Sequence, residues 1–315
     1  MPNPGLSLEE MQQALNLYEK NGRNMTRAAI SGGLEISTLR NRVNRAKIAG
    51  LVPTEFQPVV KVHTRERIGR VHCVIPDVQV KPDVPTEHLE WIGNYIVEKQ
   101  PDVLIQIGDF ADIDSLNSYT KGKREAEGKR LAKDISSVAH AMEKLLKPIH
   151  DYNRTAEIKY KPEMHLTLGN HEYRMEREVE DNPRLEGMFH MGDLGYEDNG
   201  WQVHDFLKVI NIDGVEYAHY FTSGNMGRPV TSAAALLRER QNSAVMGHVQ
   251  HTDMAFHKKT QNIAMFCGIC YLHDEKYLGP QGNQTRRQIV MLHEVEDGRF
   301  DPMFVSLRFL QKRYS

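Results

Sequence analysis

Val103-Leu-Ile-Gln-Ile107 is an apolar run that stops at Gly108-Asp109-Phe110-Ala111-Asp112. Such a run has the length and branching of a buried strand, and glycine followed by two spaced carboxylates ends it in a turn rich in oxygen donors. The same design recurs on both sides of this stretch. Upstream, Val71–Pro76 ends in Asp77-Val78-Gln79. Downstream, Met164–Leu168 ends in Gly169-Asn170-His171-Glu172, Val215–Ala218 ends in His219, and Ser243–Met246 ends in Gly247-His248-Val249-Gln250-His251. Helical stretches separate these runs, which predicts an α/β domain from about Arg70 onward. Any one of the five motifs is an ordinary turn or core histidine. Five in series, each after an apolar run, point to metal-binding and acid–base residues gathered at strand ends, where a sheet fixes their spacing.

The series D-x-Q, G-D-x-x-D, G-N-H-E, H, G-H-x-Q resembles the calcineurin-like metallophosphoesterase superfamily over about residues 70 to 270. Asn170-His171-Glu172 followed by Arg174 looks like its phage-encoded members. The resemblance implies a four-layer α/β/β/α sandwich over residues 70–315 and two divalent metal ions. Asp109 would bridge the ions, Asp77 would bind the first, and Asn170, His219 and His248 would bind the second. His171 would face the substrate as a general acid, and Asp112 would keep it protonated. A hydroxide held between the ions would attack phosphorus in line. Arg174 is a candidate phosphate contact, since a guanidinium fork matches phosphate oxygens; a surface ion pair is its other reading.

The sequence departs from the superfamily pattern at two places. Gln79 and Gln250 stand where histidines are usual, and in the superfamily both positions belong to the first metal. An amide oxygen is a harder, weaker ligand than imidazole, so this site should favour Mn²⁺, with Mg²⁺ next and Fe²⁺ or Zn²⁺ as further candidates. Alternatively, His251 swings in as a ligand, or the first site is degenerate.

The first fifty residues have a different texture. Ser7-Leu-Glu-Glu10 is a capping-box signature for a helix to about Asn21, Asn24 can cap a short second helix, and Gly32-Gly33 breaks the chain. Ser37 is placed to cap a third helix from Thr38 to about Ala49. This is the plan of a small all-α helix-turn-helix domain, residues 1–50, joined by a linker over 51–69. It resembles such modules in phage and bacterial DNA-binding proteins. The outer face of the third helix would offer Arg40, Asn41, Arg42, Asn44, Arg45 and Lys47 to DNA. Seven Lys or Arg face four Glu in residues 1–50, a local charge of +3 within a chain whose formal net charge is -2. A second basic stretch, Lys121–Lys133, follows the Asp109 loop and could guide a phosphate backbone.

In 315 residues, 40% hydrophobic and 26% charged, there is no secretory signal pattern and no membrane span, so a cytoplasmic protein is expected, in the host if phage-encoded. Cys73, Cys267 and Cys270 are too few for a disulfide framework. The C-x-x-C formed by Cys267 and Cys270 lies in an apolar run and reads as buried strand cysteines. His72, His88, His190, His204, His273 and His293 fit no motif and are read as structural. The favoured function is a metal-dependent phosphodiesterase acting on DNA. The alternatives are a phosphomonoesterase of protein or nucleotide substrates targeted by the helix-turn-helix, and a non-catalytic DNA-binding protein. Nothing in the sequence sets an oligomeric state.

Overall fold

The computed structural model describes residues 6–53 and 69–315, so most of the stretch expected as a linker lies outside the described residues. The chain divides into two compact units, Met1–Glu66 and Arg67–Ser315.

In the smaller unit, α1 (Leu8–Lys20) opens on a reciprocal capping box. Ser7 Oγ accepts from the Glu10 amide at 3.2 Å and Glu10 Oε2 accepts from the Ser7 amide at 3.0 Å. α2 (Met25–Gly32) is capped by Asn24 Oδ1, which accepts from the Arg27 amide at 3.0 Å. α3 (Ile36–Ile48) begins earlier than expected, with Glu35 at its N-cap and no side-chain cap bond. Gly33 takes a left-handed turn and the Leu34 amide bonds back to Ala29, so the chain re-enters helix at once and Ser37 falls inside the first turn. Ala14, Leu15, Ala28, Ala29, Leu39, Val43 and Ala46 form the core of this unit.

The larger unit runs β1 (Arg70–Ile75), α4 (His88–Lys99), β2 (Val103–Gln106), α5 (Leu131–Thr155), β3 (Glu163–Thr167), α6 (Arg174–Asp181), β4 (Gln202–His204), β5 (Ile210–Ile212) and β6 (Val215–Ala218). It continues with a short hairpin, β7 (Thr222–Ser223) and β8 (Arg228–Pro229), then α7 (Ala233–Arg240), β9 (Ala244–Met246), β10 (Thr252–Phe256) and β11 (Ile263–Cys267). α8 (Gly279–Gly282), β12 (Gln288–Glu296), β13 (Arg299–Ser306) and α9 (Leu307–Tyr314) complete it.

Six strands form one sheet in the order β13-β12-β1-β2-β3-β4, and five form another in the order β10-β11-β9-β6-β5. β1 to β4 are mutually parallel, as are β6, β9 and β11.

The alternation of side chains along each strand explains the layering. In β1 and β2, Cys73, Ile75 and Leu104 face a core shared with α4, α5 and α9, whereas Val74, Val103 and Ile105 face a second core between the sheets. In β9 and β11, Val245, Met265 and Cys267 meet that inter-sheet core. Ala244, Met246, Ala264 and Phe266 turn to a third, shared with Leu236 and Leu237 of α7. Three stacked cores give four layers, helix, sheet, sheet, helix. The same alternation disposes of the C-x-x-C: Cys267 lies in the inter-sheet core and Cys270 in the helix-side core, both buried and unbonded. After His251, the chain supplies β12 and β13 of the larger sheet and α9 against α4. No described helix is long and apolar enough to cross a membrane.

Candidate metal centre and active site

Each predicted motif leaves the C-terminal end of a parallel strand. Asp77 and Gln79 follow β1, Asp109 follows β2, Asn170 and His171 follow β3, His219 follows β6, and His248 follows β9. Both sheets contribute, so the site lies across their shared edge.

Backbone amides hold the carboxylates in place. Asp109 Oδ1 accepts from the His171 amide at 2.9 Å, which leaves Oδ2 facing His219 Nε2 at 3.3 Å and His171 Nε2 at 3.7 Å. Asp77 Oδ1 accepts from the His248 amide at 3.1 Å. His219 Nδ1 donates to the Ile107 carbonyl at 2.9 Å, which fixes the ring and presents Nε2 to the site, 3.0 Å from Asn170 Oδ1. Asp109, His219 and His248 offer one ligand atom each within 4.8 Å of one another.

Close packing explains the glycines. A Cβ on Gly169 would lie 2.1 Å from Asp109 Oδ1, and one on Gly247 would lie 2.5 Å from Asp77 Oδ1. Three non-glycine site residues sit in the left-handed region: Gln79 at φ 47°, Asp109 at φ 51° and His248 at φ 62°. Such strain persists where the surrounding structure over-determines the conformation, and it concentrates at functional sites.

The donor set fits divalent cations. Asp77 and Asp109 are both buried. Among the described residues, Asp77 Oδ2 and Gln79 Oε1 are buried acceptors with no hydrogen-bond partner, which a cation would satisfy. Burial, with the negative charge of Asp109 adding to it, pushes the Asp77 carboxyl up to about 7. Burial and the charge on His219 push His248 down to about 4. Burial opposes charge on His219, but the Asp109 and Asp77 carboxylates hold it up at about 9.

His171 is also raised: burial works against its charged form, and Asp109 and Asp112 overcome it. Its Nδ1 stands 2.7 Å from Asp112 Oδ1, and its Nε2 side lines a cleft of about 670 Å³ with Gln79, Asp109, His248 and Gln250. Asp112 is held well below the usual carboxylate range; burial opposes this, but His171, Lys81 and Arg174 outweigh it.

Two expected site residues are placed elsewhere. Arg174 is buried, and its Nη1 donates to the Asp112 carbonyl at 2.6 Å and to Asp112 Oδ1 at 2.9 Å. It is not a surface ion pair, because α6 turns it inward onto Asp112. His251 is exposed at the cleft rim with its ring edge-on to Phe266 at 5.9 Å, and it stands outside the cluster of Asp109, His219 and His248.

Other residues of the site were given no role by the sequence, although Glu172 lies within the G-N-H-E motif. Glu172 is fully buried and accepts from the amides of Asp109, Ala111 and Gly169 at 3.1, 2.9 and 2.9 Å, tying the β2 and β3 loops together. Lys81 and Glu275 stand behind Asp112. Arg228, Thr231 and Leu278 help line the cleft.

On α3, Arg40, Asn41, Asn44, Arg45 and Lys47 are exposed, while Arg42 is half-buried and paired with Glu10 at 3.0 Å. Arg42 is thus held in an ion pair within its own unit, whereas the other five residues of that face make no such pair among the described residues. Lys47 lies 5.0 Å above the Tyr18 ring.

The sequence profile of the calcineurin-like phosphoesterases matches residues 73–282. No curated protein matches the chain. Among solved structures, one that is 12% identical covers 75% of this chain and 99% of its own, with a TM-score of 0.30.

Proposed function

Since the chain belongs to the calcineurin-like phosphoesterase family, which is metal-dependent, we propose that it hydrolyses phosphodiester bonds of DNA. Asp109, Asn170, His219 and His248 would hold one divalent ion, and Asp77, Gln79 and Gln250 would share Asp109 with another. The pair would supply Lewis acidity and a nucleophile at neutral pH.

The protein's own groups do the rest. Asp77 and Asp109 set the charge that retains cations, each fixed by one backbone amide. Asp112 takes the Nδ1 side of His171 and turns Nε2 to the cleft. With its proton affinity raised, His171 carries a proton at Nε2 and delivers it to the departing oxygen. Arg174 keeps Asp112 in place.

DNA is favoured as substrate by one observation. The exposed face of α3 offers Arg40, Asn41, Asn44 and Arg45 together, residue types that bind phosphates and base edges. Linking such a face to a hydrolase raises the local concentration of DNA at its cleft.

The test compares hydrolysis of labelled DNA, an aryl phosphodiester and the matching monoester in Mn²⁺, with Asp109→Asn and His171→Ala as controls. Diester and DNA cleavage lost in both controls is expected. Cleavage of the monoester alone would replace this reading with a phosphomonoesterase.

A further inference from the structure

Asp112 is the centre of a chain of ionisable groups that extends away from the cleft. Its Oδ1 is shared by His171 Nδ1 at 2.7 Å and Arg174 Nη1 at 2.9 Å. Its Oδ2 accepts from Lys81 Nζ at 2.9 Å. Lys81 also donates to Glu275 Oε1 at 2.5 Å, and that oxygen is met by His273 Nε2 at 2.8 Å.

Lys81 and Glu275 lie 194 positions apart, both largely buried, with side-chain exposures of 17% and 8%. Asn283 clamps the far end. Its Oδ1 accepts from the Glu275 amide and its Nδ2 donates to the Glu275 carbonyl, both at 2.8 Å.

The geometry points to Lys81 as the positioning residue for the acid His171, with Glu275 as the anchor that holds Lys81 in place. Arg174 and His171 both load Oδ1, and without a donor on Oδ2 the carboxylate could tilt or exchange its two oxygens between them. The Lys81 bond to Oδ2 opposes both motions. A carboxylate gripped at both oxygens keeps the imidazole in one orientation, with Nε2 toward the leaving group. The ammonium needs its second partner, because a buried Lys81 facing one carboxylate already shared with two other cations would be poorly balanced. Glu275 supplies that balance.

This inference rests on His171 acting as the leaving-group acid. The test uses full-length protein with Lys81→Met and Glu275→Gln, the second keeping shape and an acceptor should the first fold poorly. Two readouts are taken. In Mg²⁺, the downfield imidazole N–H resonance of His171, assigned by its loss in His171→Ala, reports the bond to Asp112. In Mn²⁺, kcat is measured on aryl methyl phosphodiesters with 4-nitrophenol and phenol as leaving groups.

An acid matters most for a poor leaving group. Lys81→Met is therefore expected to lower kcat about 30-fold on the phenyl ester and about threefold on the 4-nitrophenyl ester, with KM little changed. Glu275→Gln should show the same bias at smaller size. In both variants the resonance should broaden or shift. An unchanged resonance, or equal loss on both esters, would overturn the assignment. If the wild type cleaves neither ester, the phosphodiesterase reading fails, while the resonance still decides the positioning role.

Discussion

Gly169→Ala concentrates the geometry of the centre in one methyl group. The added Cβ would lie 2.1 Å from Asp109 Oδ1, 2.4 Å from the Asp109 amide nitrogen and 2.8 Å from its Cγ. Ordinary contact distance for such atoms is about 3.5 Å, so the strand-end loops must separate by roughly 1 Å. Two of the contacts are to the carboxylate that also faces His219, and the third is to backbone, so no flexible side-chain tip can absorb the shift. The Gly169 amide is itself a donor to Glu172, which ties this loop to the Asp109 loop. Overpacking of this kind costs about 1–3 kcal/mol. A displacement of about 1 Å at a catalytic group costs on the order of 100-fold in rate. The variant should fold, lose about 1–3 kcal/mol in urea denaturation, bind Mn²⁺ more weakly by calorimetry, and drop at least about 100-fold in kcat/KM on an aryl phosphodiester. Mn²⁺ affinity and kcat/KM within twofold of wild type would refute the packing argument and, with it, the placement of Asp109 at the centre.

Replacing Gln79 and Gln250 together by histidine should raise Zn²⁺ affinity relative to Mn²⁺, since imidazole is the softer donor; competition titration showing no change in that ratio would remove both residues from the first metal. Arg40→Ala with Arg45→Ala should weaken DNA binding and reduce the slope of log affinity against log salt by about two, and an unchanged slope would exclude these arginines as phosphate contacts. Burial, with the positive charges of His273, Lys144 and Arg287 nearby, pushes His88 from 6.5 down to about 3. The unfolded chain then takes a proton near pH 6.5 that the folded chain refuses until about 3, so stability falls as pH drops through that window, by up to about 1.4 kcal/mol per pH unit. Urea titrations at pH 7 and pH 5 in a chelator should show this loss shrinking in His88→Phe; equal losses in both proteins would rule His88 out as its source.

The strand-end motifs were legible because each is local: an apolar run sets the strand, and the residues just after it inherit the strand's direction. The capping box at Ser7 and the cap at Asn24 were legible for the same reason. What the sequence concealed depends on distant partners or on helix phase. Arg174 reads as a surface or substrate cation until α6 turns it onto Asp112. Lys81 reads as a loop lysine until a segment 194 positions later brings Glu275 against it. Glu172 sits beside Asn170 and His171 in the motif, yet only the folded loops reveal three amides converging on it. Ser37 reads as a cap, but the tight turn at Gly33 starts α3 sooner than the helical pattern suggests.

The hydrogen bond from the His248 amide to Asp77 closes a loop of 171 residues. Closing so long a loop carries a large entropic cost, recovered only when the two sheets have stacked. A growing chain therefore presents no complete metal trap: β1 and β2 bring Asp77 and Asp109 together within one sheet, but His248 joins them only when the inter-sheet core is complete. An ion bound there would fasten a finished structure, slowing the rate at which it comes apart more than it changes the rate at which it assembles, so metal supply would set the protein's lifetime more than its yield.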